Sequence, residues 1–186
     1  GPCSVALAAS FDEKLLKDIG SLCGEECIRR RANVLLGPTI NLQRYPVSGR
    51  HFECFSEDPF LTGRCATAWT IGVQQHVAAC AKHFIGNDQE TDRNTSNSVI
   101  DERTLREVYL APFEDLVCEA GVEMIMCGYN RINGTHCTQN SRLLQSVVRG
   151  EWGFRGIVIS DWFGNRHTLE SLEAGLNLEM PGVEPR

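Results

Sequence analysis

No apolar run in this 186-residue chain approaches the roughly 20 residues of a membrane-spanning helix, so it does not read as a membrane span. No internal repeat or low-complexity tract is present either. Basic charge is in short supply: 18 Lys and Arg face 24 Asp and Glu, for a net charge of −6. That balance argues against a phosphate backbone as partner, so nucleic acid is excluded. The adjacent cations Arg29, Arg30 and Arg31 end a helical pattern, where positive charge suits the helix dipole. No signal peptide opens the chain, and Gly1, Pro2 and Cys3 read as the interior of something longer.

Nine cysteines cannot all pair. Cys80 and Cys127 lie inside apolar patterns and behave as small core residues rather than a disulfide framework. Cys23 and Cys27 sit one helical turn apart, but no second pair completes a zinc site. Free thiols lean towards a reducing, cytoplasmic compartment, though the compartment stays open. The tripeptides beginning at Asn94 and Asn133 match a glycosylation signal short enough to arise by chance.

A hydrophobic content of 42% is enough for one buried core. Ser10 and Glu13 form a capping box ahead of Leu15, Leu16, Ile19 and Leu22 at helical spacing. Val34 to Leu36 is a short strand stopped by Gly37 and Pro38. Asp58 and Pro59 start a helix running towards Gln75. Val77 to Ala81 is a strand ending at Lys82, His83 and Phe84, and a polar loop over Gly86 to Ser98 follows. Pro112 divides the next helix. A strand over Val122 to Met126 ends near Tyr129, and Asn140 caps a helix with Leu143, Leu144, Val147 and Val148 inward. Ile157 to Ile159 form a strand, a helix lies near Leu169 to Ala174, and Gly175 to Met180 is a last strand.

Such alternation calls for a parallel sheet, either doubly wound or a (β/α)8 barrel. The barrel is preferred because chemically capable residues follow several different strands: Arg50, Lys82, His83, Tyr129 and Asp161. In a barrel all strand tips face one mouth. A closed barrel takes about 250 residues, so the expectation is an incomplete, TIM-barrel-like segment lacking at least the first strand.

The strand Ile157-Val158-Ile159 reads as buried on both faces and delivers Ser160, Asp161 and Trp162 at its tip. An ionised Asp there can attack a carbon or steady a developing cation, or it can simply cap a helix beginning near Asn165. Lys82 and His83 are either pocket residues or a solvated Lys and a backbone-bonded His. Arg50 either forks onto sugar hydroxyls or a carboxylate, or makes a loop salt bridge to Glu53 or Glu57. Arg93 is either solvated or a pocket cation. Tyr129 is either packing or pocket wall, and Trp162 is either core or a platform for a sugar face.

These stretches together resemble glycoside hydrolase family 3 in its β-glucosidase-like branch. The matching residues are Gly37–Asn41, Gly49–Pro59, Lys82–Glu90, Asp101–Glu107, Met126–Asn130, Ser160–Trp162 and Glu179–Gly182, in the family's order over nearly the whole chain. The resemblance implies a retaining exo-acting β-glycosidase with Asp161 as nucleophile. It places Arg50, Lys82, His83, Arg93, Tyr129 and Trp162 around the non-reducing-end sugar. It also implies a barrel domain over 1–186, an acid/base Glu in a C-terminal α/β sandwich domain absent from this segment, and a small-molecule or oligosaccharide β-glycoside as substrate. Without its partner domain the segment is expected to be inactive. The Ile85–Glu90 stretch replaces the Pro-Gly-His of N-acetylglucosaminidases, which implies neutral sugars such as glucose or xylose. No metal or organic cofactor is called for. Two rivals stand beside this reading: a barrel aldolase or lyase with Lys82 as Schiff base, and a non-catalytic carbohydrate-binding domain.

Overall fold

A computed structural model describes residues 1–182. Its strands in chain order are β1 (Val34–Leu35), β2 (Ala78–Phe84), β3 (Asn97–Ser98), β4 (Met124–Cys127), β5 (Arg131–Ile132), β6 (Thr135–His136) and β7 (Ile157–Ile159). The main sheet is parallel throughout, in the order β1-β2-β4-β7. Leu178 bridges Ile159 in parallel, so the expected last strand is reduced to a single pairing. The fold is the parallel α/β, TIM-barrel-like arrangement that the alternation predicts. Three short strands, β3, β5 and β6, form a separate sheet beyond the tip of β4.

Alternation along the strands separates two faces. Ala79, Ala81, Ile125, Cys127 and Val158 join the large core beneath the helices. Cys80, Met124, Met126 and Ile159 form a second cluster on the opposite face with Val34, Leu36 and Met180. At β7 only Val158 and Ile159 are buried, whereas Ile157 is 45% exposed, so burial on both faces holds for two of its three residues.

The helices covering the large core are α1 (Ser4–Ala8), α2 (Glu13–Arg29), α3 (Pro59–Val73), α4 (Glu102–Thr104), α5 (Ala111–Cys118) and α6 (Thr168–Ala174). The cap of α2 is Asp12, whose carboxylate accepts the Leu15 N–H at 3.0 Å. Ser10 instead donates to the Leu7 carbonyl, because Phe11 takes positive φ and turns the chain between the two helices. Asp58 caps α3 through Leu61 N–H, with Pro59 in the first turn. Helices α2 and α3 meet backbone to backbone: a Cβ on Gly20 would lie 2.1 Å from the Trp69 carbonyl oxygen. A wide π-helical stretch over Leu105–Leu110 leads without a break into α5, and Pro112 sits at that junction, where the helix changes type rather than dividing. Asn140 caps the π-helical segment Arg142–Glu151 through the Leu143 N–H at 3.1 Å. The nine cysteines are free, with Cys54, Cys65, Cys80, Cys127 and Cys137 buried. Among the described residues, no helix is long and apolar enough to cross a membrane.

Candidate active site

The site lies where β2, β4 and β7 end together. Pairing between β2 and β4 slips after Lys82: Lys82 opposes Met126 and Phe84 opposes Cys127, so His83 is an extra residue. A bulge of this kind re-aims side chains at a strand end. Phe84 anchors the slipped segment; it is fully buried and meets the ring of Phe113 edge-on at 5.0 Å. The segment after β1 continues along β2, with the Ile40 N–H donating to the Lys82 carbonyl at 2.8 Å. That register carries Asn41 to His83.

Asp161, 8% exposed, follows β7. Its Oδ1 accepts the Trp162 backbone N–H at 2.6 Å, and the Tyr129 phenol stands close to the same carboxylate. Its Oδ2 lies 3.4 Å from His83 Nε2. Burial first, and then the Asp161 carboxylate, push the Tyr129 phenol up to about 12, so it stays protonated. The helix-cap alternative for Asp161 fails, because α6 starts at Thr168 with His167 at its cap position.

Arg50 is the hub of the cations. Its Nε pairs with Glu53 Oε1, its Nη1 donates to His83 Nε2 at 3.3 Å, and Glu90 Oε1 lies 4.0 Å away. Glu53 also accepts from Thr39 Oγ1 at 3.1 Å. Burial disfavours the charge on Glu53, yet the Arg50 pair, Lys82 and Thr39 hold its carboxyl below the usual range. Burial lowers the proton affinity of Lys82, with Arg50 adding to the effect and Glu53 and Asp161 opposing it. His83 is 2% exposed; burial first, then Arg50, Lys82 and Arg93, drives its pKa well below the ordinary value. It is therefore neutral, and its approach to Asp161 is not an ion pair. Arg93 donates to Glu90 Oε2 at 2.7 Å and its guanidinium lies 4.5 Å from the Tyr129 ring centroid.

Arg50 thus makes the loop salt bridge to Glu53, and the same guanidinium also reaches the His83 ring. Arg50, Lys82, His83, Arg93, Tyr129 and Asp161 come together. Trp162 is 38% exposed, and its backbone N–H is what binds Asp161. Asn41 was not foreseen from the sequence as part of the site, and Glu53 was foreseen only as a loop partner of Arg50. Glu53 carried a usable signal, since it stands three residues from Arg50 in a one-turn helix over His51–Glu53. Asp88, whose burial raises its pKa to about 6, faces Leu42, Arg44 and Tyr109 rather than Asp161. No group of three or more His, Cys, Asp or Glu is placed to hold a metal among the described residues.

Residues 1–185 match the model of the glycosyl hydrolase family 3 N-terminal domain. A β-glucosidase of Rhizobium radiobacter is 51% identical over 97% of this chain, which covers 22% of that protein. The probable β-glucosidase K of Emericella nidulans is 47% identical, again over 97% of this chain and 22% of its own length. Among solved structures, β-glucosidase 3B from Thermotoga neapolitana in complex with glucose superposes with a TM-score of 0.96 at 44% identity, covering 97% of this chain and 26% of that one. The β-glucosidase of Kluyveromyces marxianus in complex with glucose gives 0.97 at 45% identity, covering 100% and 22%. This chain therefore spans about a quarter or less of the length of these relatives.

Proposed function

This chain belongs to the glycosyl hydrolase family 3 N-terminal domain, and from that premise we propose that the whole protein is a retaining, exo-acting β-glycosidase of the β-glucosidase or β-xylosidase type. Residues 1–186 form part of its barrel domain, and a following α/β sandwich domain of the same protein supplies the general acid/base. The observation that carries this reading is a single carboxylate, Asp161, held at a strand tip by one backbone N–H, beside the His83 ring and within the field of Arg50 and Lys82.

In the first step an Asp161 oxygen bonds to the anomeric carbon of the non-reducing-end sugar. The glycosidic bond breaks with its electron pair on the leaving oxygen, which takes a proton from the general acid. Water then attacks the same carbon, giving its proton to the conjugate base and releasing Asp161 as carboxylate. The general acid does not come from Glu53, which Arg50 and Lys82 keep ionised. Lys82, His83, Arg50 and Arg93 bind the sugar hydroxyls, whose hydrogen bonds strengthen as the ring becomes oxocarbenium-like. Trp162 offers its exposed indole to the sugar or its aglycone. Family membership displaces the Schiff-base and binding-module alternatives.

The test is mechanism-based labelling of the whole enzyme. A dinitrophenyl 2-deoxy-2-fluoro-β-glucoside should leave one fluoroglycosyl group on the peptide containing Asp161, read by mass spectrometry. Stoichiometric labelling at another carboxylate, with Asp161 unmodified, would overturn the assignment.

A further inference from the structure

Asn41 and His83 are both buried, and three contacts join them. Asn41 Nδ2 donates to the His83 carbonyl at 3.0 Å, and the His83 backbone N–H donates to Asn41 Oδ1 at 2.9 Å. The same Oδ1 lies 3.0 Å from His83 Nδ1. A backbone N–H only donates and a carbonyl only accepts, so these two bonds fix which amide atom is oxygen. That oxygen is an obligate acceptor, and Nδ1 can bond it only as N–H.

We propose that Asn41 is a positioning residue that locks His83 in its Nδ1–H tautomer, so that Nε2 enters the sugar pocket as a hydrogen-bond acceptor. The inference rests on the pocket reading above for its consequence, though not for its geometry. A neutral imidazole carries one proton, and Asn41 holds it on the side away from the pocket. Nε2 then accepts from Arg50 Nη1, as its 3.3 Å separation allows. No hydrogen lies between Nε2 and Asp161 Oδ2 at 3.4 Å. Two consequences follow. Asp161 keeps an Oδ2 lone pair that His83 does not tie up, which suits a nucleophile. Nε2 has one lone pair, so a sugar hydroxyl bonded there must take the place of Arg50 and donate to it, and replacement of that hydroxyl by fluorine, which has no hydrogen to give, is rejected. The charged groups facing the ring are Arg50 from the loop before α3, Lys82 on its own strand, Arg93 from the polar loop and Asp161 after β7.

Neutron diffraction from deuterated crystals of the whole, substrate-free enzyme at neutral pH tests the tautomer directly. Deuterium on Nδ1 and none on Nε2 is expected; deuterium on Nε2, alone or with Nδ1, overturns the proposal. This readout needs no turnover, so it stands apart from any failure of the labelling experiment. Kinetics supply the second arm. Asn41→Asp keeps the acceptor but adds a negative charge that favours imidazolium, so the acidic limb of kcat/KM should move to higher pH. Asn41→Ala frees the tautomer and should lower kcat/KM about 10- to 100-fold, with loss of discrimination against the fluoro sugar at one hydroxyl. A purely structural Asn41 would lower thermal stability in both variants and leave the pH limb and fluoro-sugar discrimination unmoved.

Discussion

Replacing Glu53 by Gln tests the electrostatic layout of the pocket, because this carboxylate balances two cations without itself facing Asp161. Glu53 and Arg50 side chains are 25% and 26% exposed, so their pair is only partly screened. Gln keeps the shape and an acceptor oxygen but removes the charge. Loss of a charge-assisted hydrogen bond in such a setting costs about 1.5–3 kcal/mol. If Arg50 and Lys82 grip the reacting sugar, kcat/KM should fall about 10- to 100-fold. The pH dependence is the sharper readout. Lys82 already has a lowered pKa, and Glu53 is the largest influence opposing that shift. Removing it lowers the pKa further. The ammonium form is present below that pKa and lost as pH rises through it, so the basic limb of kcat/KM must move towards lower pH. The assay is initial-rate hydrolysis of a nitrophenyl β-glucoside by the whole enzyme across the pH range. A basic limb that stays in place, or moves to higher pH, would refute the reasoning even if the rate falls.

Further outcomes are equally specific. Asp161→Asn in the whole enzyme should reduce turnover by a factor of order 10³ or more with the thermal transition retained; activity within tenfold of the parent, in steady-state assays, removes Asp161 from the mechanism. If both grip the reacting sugar as proposed, Lys82→Ala and His83→Ala should each lower kcat/KM by a similar factor for every aglycone; losses confined to one aglycone in a substrate series would move them to another subsite. Asp88→Asn should stabilise the protein above pH 6. Its folded pKa of about 6 exceeds the ordinary 3.8, so the native state holds a proton the unfolded chain releases, and stability falls across that window as pH rises. The gain, read from thermal melts, should be at most about 3 kcal/mol before solvent screening reduces it, and should vanish below pH 4.

Much of the architecture was legible because β and α periods alternate cleanly along the chain. The strands ending at Phe84, Cys127 and Ile159 all lie within a few residues of where their apolar runs place them, and Asp58 and Asn140 cap the helices they precede. The cap of α2 was misplaced from Asp12 to Ser10, since Ser10 and Glu13 carry the spacing of a capping box while Phe11 reverses the chain between them. No local pattern announces a positive φ at Phe. The last strand shrank to one bridge at Leu178, because Asn177 spends its side chain on the Val158 N–H and Arg149 rather than on extending a ladder.

Asn41 went unread because its role depends on a partner far away in sequence. Asn41 meets His83 across 42 positions, and Thr39 meets Glu53 only once β2 has aligned the segment after β1. A parallel sheet creates such meetings by construction, because every strand ends at the same edge and each return connection is long. Residue type alone could therefore flag Lys82, His83 and Asp161, whose side chains do chemistry in any setting. It could not flag an amide whose significance lies in which of its two ends faces an imidazole. The bulge at His83 sharpens the point: one extra residue in β2, invisible in the apolar pattern, turns the ring so that Nδ1 meets Asn41 while Nε2 stands between Arg50 and Asp161.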